Sequence, residues 1–141
     1  MAYLYTQAND LAKISEQEYG TGEEIWFTYF DSCIGVIARK GDNVTGVHLV
    51  RLSKDATYFD NSAAQGCVDL LPDAYDDVVV FGVNDEWEAD EKVKAGYAHL
   101  LSLLTNPTKK QYGSAKYGFR VKNSKIQFGI IDEGDKEWYD V

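Results

Sequence analysis

The sequence contains few of the residues that cross-link or interrupt a folded chain: among 141 residues there are 2 cysteines, 2 prolines and 1 methionine. The cysteines, Cys33 and Cys67, are too few for a disulfide framework and lack the close spacing of a metal site. No apolar run approaches the roughly 20 residues that a membrane-spanning helix needs. A secretory signal, with a basic and then an apolar stretch, is also missing. We therefore expect free thiols and a cytoplasmic protein, or an effector delivered without a classical signal peptide.

Basic residues are also in the minority, since 14 lysines and arginines stand against 23 aspartates and glutamates and leave a formal net charge of -9. Such a surface repels phosphate backbones and anionic lipid, so we expect neither nucleic acid nor a membrane as a partner. Hydrophobic residues make up 45% of the chain, which is enough for a packed core and excludes a disordered or low-complexity protein. Neither a repeat nor a linker divides the chain, so we expect one domain over residues 1–141.

Helical spacing of apolar residues and helix-capping side chains predict three helices. In chain order they cover residues 7–18, 61–71 and 84–104. Asn9 or Asp10 is the expected N-cap of the first helix, which ends at the glycines of segment 20–22. Asn84 or Asp85 is the expected N-cap of the third. Of the remaining candidates for chemistry, Cys67 is expected in the core of the second helix, and His99 has a structural position in the third.

Runs of β-branched and aromatic residues predict the strands. The predicted strands cover residues 25–30, 33–39, 44–52 and 77–83, followed by three strands within 117–141 that are separated by turns at 122–124 and 133–135. The sequence Lys-Gly-Asp-Asn at 40–43 favours a tight turn that joins the second and third strands as a hairpin. Helices beside a strand-rich middle indicate an α+β fold, with mixed, mostly antiparallel β-sheet layers that form a sandwich flanked by helices.

The predicted hairpin brings a cysteine and a histidine to one face. If the turn is centred on residues 41–42, Gly35 lies opposite His48 and Cys33 lies opposite Val50. Cys33 and His48 are then diagonal neighbours, with backbones about 7–8 Å apart, and the glycine leaves space beside the imidazole. A bulge or a slip of one residue would place them on opposite faces instead.

A cysteine beside a histidine suits nucleophilic catalysis, because the imidazole takes the thiol proton, holds a thiolate–imidazolium pair and later returns the proton to a leaving amine. The polar interruption Asp31–Ser32 before Cys33 leaves backbone N–H groups for an oxyanion hole. A carboxylate at Asp31 would raise the pKa of the thiol if it pointed at the sulfur. The alternative is a buried cysteine with an incidental histidine, which is the more common reason for a free cysteine.

The segments 30–36 (FDSCIGV) and 46–50 (GVHLV) resemble the Ser-Cys…His core of CheD-type glutamine deamidases, whose catalytic architecture also occurs in cytotoxic necrotizing factor. Later segments follow the order of CheD, with a strand that ends in glycine, a helix and then hairpin strands. Asp31 stands where the family has a glycine. CheD proteins orient the histidine with a threonine, for which Thr28 is the nearest candidate, whereas related toxins use a backbone carbonyl.

The resemblance implies a hydrolase that uses neither a metal nor an organic cofactor and acts on an exposed glutamine of a substrate protein. Cys33 would attack the carboxamide, and N–H groups near Ser32 would stabilise the oxyanion. His48 would protonate the departing ammonia and then activate water to cleave the thioester. Transglutamination would result if an amine replaced the water.

A second hypothesis is a non-catalytic acidic binding or immunity-type protein that neutralises a basic partner. The net charge of -9 and the 3 tryptophans, 10 tyrosines and 6 phenylalanines would suit a charged interface with aromatic anchors. Neither hypothesis fixes the oligomeric state. Thiol reactivity separates the two, because a catalytic Cys33 should be alkylated quickly near neutral pH and lose that rate when His48 is removed, whereas a core cysteine should be inert.

Overall fold

The computed structural model describes residues 3–132 and 135–141, which form ten strands and three helices. In chain order the strands are β1 (Thr6–Gln7), β2 (Glu18–Gly22), β3 (Glu24–Trp26), β4 (Ile34–Lys40), β5 (Asn43–Leu49), β6 (Asp77–Gly82), β7 (Thr108–Gln111), β8 (Lys116–Lys122), β9 (Lys125–Asp132) and β10 (Asp135–Asp140). The helices are α1 (Asn61–Asp69), α2 (Asn84–Ala89) and α3 (Lys94–Leu103). Within the described part of the chain, no helix is long and apolar enough to cross a membrane.

The strands form two mixed sheets. The larger has the order β1-β2-β5-β4-β6-β7, and the smaller has the order β10-β9-β8-β3. All neighbouring strands are antiparallel except the pairs β1–β2 and β6–β7. The predicted α+β class with mostly antiparallel sheets is therefore confirmed.

Aromatic side chains fill the space between the two sheets. Phe81 of β6 lies edge-on to Phe119 of β8, with ring centroids 5.1 Å apart, and Phe27 contacts Phe119 at 5.7 Å. All three are fully buried, and burying each such side chain stabilises the fold by roughly 1.5–3 kcal/mol. On the opposite face of the larger sheet, Val36 and Val80 are also fully buried. Both faces of the central strands are therefore covered, which accounts for the continuous apolar run of β6.

The hairpin of β4 and β5 has the predicted register. Lys40 pairs with Asn43 beside the turn, and Gly35 pairs with His48 near the other end. The last pair of the ladder is Ile34 with Leu49, so Cys33 lies one position beyond it. Turn chemistry and alternation of side chains were sufficient to fix this register because the two strands are close in sequence.

The helix predicted over residues 7–18 is wrong, since this segment is extended or turned. β1 pairs with β2, and Ile14 forms a bridge to Phe27 and donates its N–H to the Trp26 carbonyl at 2.9 Å. The expected cap Asp10 lies in a turn, where its carboxylate accepts the Ala12 N–H. In this segment, pairing with residues that are more distant in sequence outweighs the local preference for a helix.

The other two predicted features of this segment fail for the same reason. Asn9, the alternative cap, precedes the same turn and begins no helix. The glycine segment 20–22, expected to end a helix, belongs to β2 and pairs with β5. Thr21 lies directly opposite Thr45 in that ladder, and their hydroxyl oxygens are 2.8 Å apart.

The predicted third helix is interrupted and forms α2 and α3. Asp90 ends α2 with an extended backbone, at ψ 110. Its carboxylate accepts the Lys92 N–H at 2.9 Å and an Arg51 N–H at 3.1 Å. Hydrogen bonds from a short acidic side chain to nearby backbone compete with the helix in this way.

The N-cap of α2 is Val83, which has no side-chain capping bond, so the predicted caps Asn84 and Asp85 are wrong. Asn84 is buried, and its amide donates hydrogen bonds to the carbonyls of Val80 and Lys110, at 3.1 and 3.0 Å. The side chain therefore ties the end of β6 to β7 rather than capping the helix.

The remaining predictions are mostly confirmed. Helix 61–71 is observed as α1, where the Asp60 carboxylate accepts the Ala63 N–H. The strands at 33–39, 44–52 and 77–83 appear as β4, β5 and β6 with shorter or shifted ends, whereas 25–30 is regular only up to Trp26. The turn at 122–124 is observed, and the predicted turn at 133–135 includes residues that lie outside the described part. Strands β1, β2 and β7 were not predicted.

Candidate functional site

Cys33 lies between the bend at Asp31–Ser32 and the first residue of β4. Its side chain lies just below the surface, because the residue is 5% exposed while Asp31, two positions earlier, is exposed to solvent. The Cys33 carbonyl accepts the N–H of Val83 at 3.5 Å, so the cysteine is attached to the end of β6.

Gly82, the last residue of β6, permits this attachment. It has a φ of 131°, and a Cβ atom at this position would lie 2.6 Å from the Cys33 carbonyl oxygen. Only a glycine combines that backbone conformation with so close an approach. The resemblance to CheD includes a strand that ends in glycine, but it does not predict this contact.

Helix α2 contributes a second contact to residues 31–33, which we call the cysteine bend. Trp87 is fully buried, and its indole N–H donates a hydrogen bond to the Ser32 carbonyl at 3.0 Å. In the described part of the chain, no hydrogen bond uses the backbone N–H of Ser32 or of Cys33. The bend therefore offers two unused donors, as an oxyanion hole requires.

His48 lies on β5 and is fully buried. Its imidazole packs against Phe27 and Phe30, with ring centroids 5.4 and 4.7 Å away. Gly35, its partner on β4, makes this packing possible, because a Cβ there would lie 3.1 Å from the Phe30 ring. The predicted space opposite the imidazole is therefore occupied by aromatic rings.

One nitrogen of the imidazole is bonded to the backbone and the other is free. The Nδ1 atom lies 2.9 Å from the Ile14 carbonyl oxygen. Because a carbonyl only accepts hydrogen bonds, Nδ1 carries the proton and Nε2 has the lone pair. Within the described residues, Nε2 is buried without any hydrogen-bond partner. This tautomer is the one in which Nε2 can act as a base.

The same carbonyl contacts Thr28, the other candidate for orienting His48. The Thr28 N–H donates to the Ile14 oxygen at 3.0 Å, and the Thr28 hydroxyl lies 3.5 Å from it. The hydroxyl thus reaches the carbonyl rather than the imidazole. Of the two alternatives left by the sequence, the backbone carbonyl is the group in contact with the ring.

Burial keeps both candidate catalytic groups neutral. It raises the pKa of the Cys33 thiol to about 11; an Asp31 backbone hydrogen bond opposes this shift, and the carboxylates of Glu16 and Asp31 add to it. Burial also lowers the pKa of His48 to about 4. A thiol and a neutral imidazole are therefore present at pH 7, without the thiolate–imidazolium pair that the sequence suggested. They share no hydrogen bond among the described contacts, because Nε2 has no partner.

The second cysteine and the second histidine lie on helices, outside the hairpin of β4 and β5. Cys67 is fully buried in α1, where burial raises the pKa of its thiol, so its predicted place in the core is confirmed. His99 is half-buried on α3. Among the described residues, no group of three or more histidine, cysteine or acidic side chains is arranged to hold a metal ion.

Comparison of the chain with protein-family models, with curated proteins and with solved structures found no match. The site residues that sequence analysis missed are Ile14, Gly82 and Trp87. The first acts through its carbonyl and the third through a contact 55 positions away in sequence, and neither leaves a signal in residue type or spacing.

Proposed function

We propose that the protein is a cysteine hydrolase that deamidates glutamine side chains of a substrate protein. The observation that supports this most directly is the state of His48, which is anchored through Nδ1 and has a buried, unpartnered Nε2. A buried polar atom without a partner costs roughly 1–3 kcal/mol, so each such atom in a folded protein calls for an explanation, and a catalytic role is one.

The first half of the reaction forms a thioester. Nε2 of His48 accepts the proton of the Cys33 thiol as the sulfur bonds to the carboxamide carbon, and the carbonyl oxygen becomes an oxyanion held by backbone N–H groups at Ser32 and Cys33. The imidazolium then gives its proton to the amide nitrogen, and ammonia leaves. Because both groups begin neutral, the histidine acts as a general base during attack rather than as the partner of a stable thiolate.

The second half hydrolyses the thioester. Nε2 takes a proton from water as its oxygen attacks the acyl carbon, and the proton then returns to the departing sulfur. The product is glutamate, with the thiol and the neutral imidazole restored. An amine in place of water would give transglutamination. The hydrogen bond between thiol and Nε2 forms when substrate binds, as is frequent in enzymes whose free structures show looser contacts.

The test is ammonia release from benzyloxycarbonyl-glutaminyl-glycine and from casein, with mass spectrometry to detect conversion of amide to acid. Wild-type protein should release ammonia, and Cys33→Ser or His48→Gln should abolish the release. Cys67→Ala is the matched control, because it removes the other cysteine, whose thiol is buried in α1. Equal ammonia release by wild type and Cys33→Ser would contradict the proposal.

A second candidate function is a non-catalytic acidic binding protein, favoured by the low exposure of Cys33, 5%, together with the net charge of -9. In that case Cys33 and His48 only fill the core. Capture of one basic partner, with equal affinity for wild type and Cys33→Ser, would support this candidate if neither protein released ammonia.

A further inference from the structure

We propose that Trp87 is a positioning residue for the oxyanion hole: its indole N–H holds the peptide between Ser32 and Cys33 so that the Cys33 N–H is directed toward the developing oxyanion. This inference rests on the proposed function. Its evidence is independent of the histidine, since it concerns the contact of Trp87 on α2 with the backbone carbonyl of Ser32.

The Trp87 hydrogen bond fixes the direction of the Cys33 N–H, because that N–H lies in the same peptide as the Ser32 carbonyl. The Ser32 carbonyl and the Cys33 N–H belong to one planar peptide, and all peptide bonds of the described residues are trans. In a trans peptide the carbonyl and the N–H point in opposite directions. Because the carbonyl points at the indole, 3.0 Å away, the Cys33 N–H points away from it.

The peptide that follows Cys33 is held by the same part of the chain. The Cys33 carbonyl accepts the N–H of Val83, and Val83 is the N-cap of the helix that carries Trp87. Two consecutive carbonyls of the bend are therefore bound by one unit, the end of β6 and the start of α2. This leaves the peptides on both sides of the nucleophile little freedom to rotate.

The Trp87 ring is itself fixed by its neighbours, so it can hold the Ser32–Cys33 peptide in one orientation. Its ring is fully buried and lies edge-on to Phe59, with centroids 5.2 Å apart, and Tyr97 packs on it at 6.2 Å. A simpler explanation is that a buried indole N–H needs some acceptor, and Ser32 supplies one. The two explanations differ in what the loss of the N–H does to catalysis.

The experiment replaces Trp87 by 3-benzothienylalanine, which keeps the shape of the ring and substitutes sulfur for N–H. Trp87→Phe is the genetic counterpart. For benzyloxycarbonyl-glutaminyl-glycine, kcat should fall by about 10- to 100-fold while KM stays the same, because the oxyanion exists only after attack. Alkylation of Cys33 by iodoacetamide should stay within about twofold of wild type, because displacement of iodide forms no oxyanion.

Tyr97→Phe is the matched control, since it removes a buried hydrogen bond of 2.7 Å to Asn84 beside the same ring. Its kcat should equal that of wild type. An unchanged kcat in the benzothienyl protein would overturn the inference, as would an equal fall in kcat and in alkylation. If wild-type protein releases no ammonia, the proposed function fails and this inference fails with it. If wild-type protein releases ammonia and the benzothienyl protein has the same kcat, this inference alone fails.

Discussion

The imidazole of His48 donates a hydrogen bond from Nδ1 to the carbonyl of Ile14, 2.9 Å away and 34 positions earlier in the chain. A backbone carbonyl here takes the place that a carboxylate or hydroxyl side chain often has beside a catalytic histidine. The carbonyl carries no charge, so it orients the ring without raising its basicity strongly. This agrees with the low pKa of His48, where burial outweighs the bond to Ile14.

Acid should destabilise the fold through His48. Its pKa is lowered from 6.5 to about 4 in the folded protein. Between these values the unfolded chain binds a proton that the folded chain does not, so the free energy of unfolding falls as the pH falls, by roughly 3 kcal/mol in total. Urea denaturation between pH 7 and pH 4 should show this loss in wild type.

His48→Gln should lack that part of the pH dependence, whereas His99→Gln should keep it, because it leaves the buried imidazole of His48 in place. Parallel curves for wild type and His48→Gln over this pH range would contradict a buried neutral imidazole.

Thiol reactivity should follow the raised pKa of Cys33, about 11, so the fast alkylation near neutral pH that the sequence predicted is not expected from the structure. In a Cys67→Ala background, the rate of alkylation by iodoacetamide should be low at pH 7 and rise about tenfold per pH unit up to about pH 10, because the thiolate fraction rises in that proportion. The measurement is the rate of mass increase at each pH. A rate that is already at its plateau at pH 7 would indicate a preformed thiolate and would refute the neutral resting pair.

Gly82→Ala should destabilise the protein, because the new Cβ would lie 2.6 Å from the Cys33 carbonyl and φ is 131°. We expect a loss of about 1–3 kcal/mol in the free energy of unfolding, together with reduced ammonia release, since the cysteine bend must move. Gly113→Ala is the control: a Cβ there meets nothing within 4 Å, so its stability should change by less than about 1 kcal/mol. If both variants unfold at the same urea concentration, the close approach is not a constraint.

Thr28→Val should have little effect on catalysis. The hydroxyl lies 3.5 Å from the Ile14 carbonyl and does not contact the imidazole, so kcat should stay within about threefold of wild type. The variant keeps the shape of the side chain and the backbone N–H bond of 3.0 Å to the same carbonyl. Loss of activity as complete as in His48→Gln would show that the threonine, and not the carbonyl, orients the histidine.

Local sequence predicted the parts of the site that depend on one hairpin. The turn at residues 40–43 and the alternation of side chains fixed the pairing of Gly35 with His48. They could not show that Phe30 fills the space beside the glycine, because that side chain arrives from outside the hairpin. Nor could they give the protonation states, which burial in the assembled core determines.

The sequence by itself determined the α+β class, most strands, the acidic charge and the hairpin that carries Cys33 and His48, because these follow from composition, periodicity and contacts between near neighbours. Tertiary structure alone decided that the segment around Ile14 pairs with strands instead of forming a helix, and that Trp87 bonds to Ser32. Both contacts join distant segments through backbone carbonyls. Every residue has such a carbonyl, so only the packed fold selects which one is used.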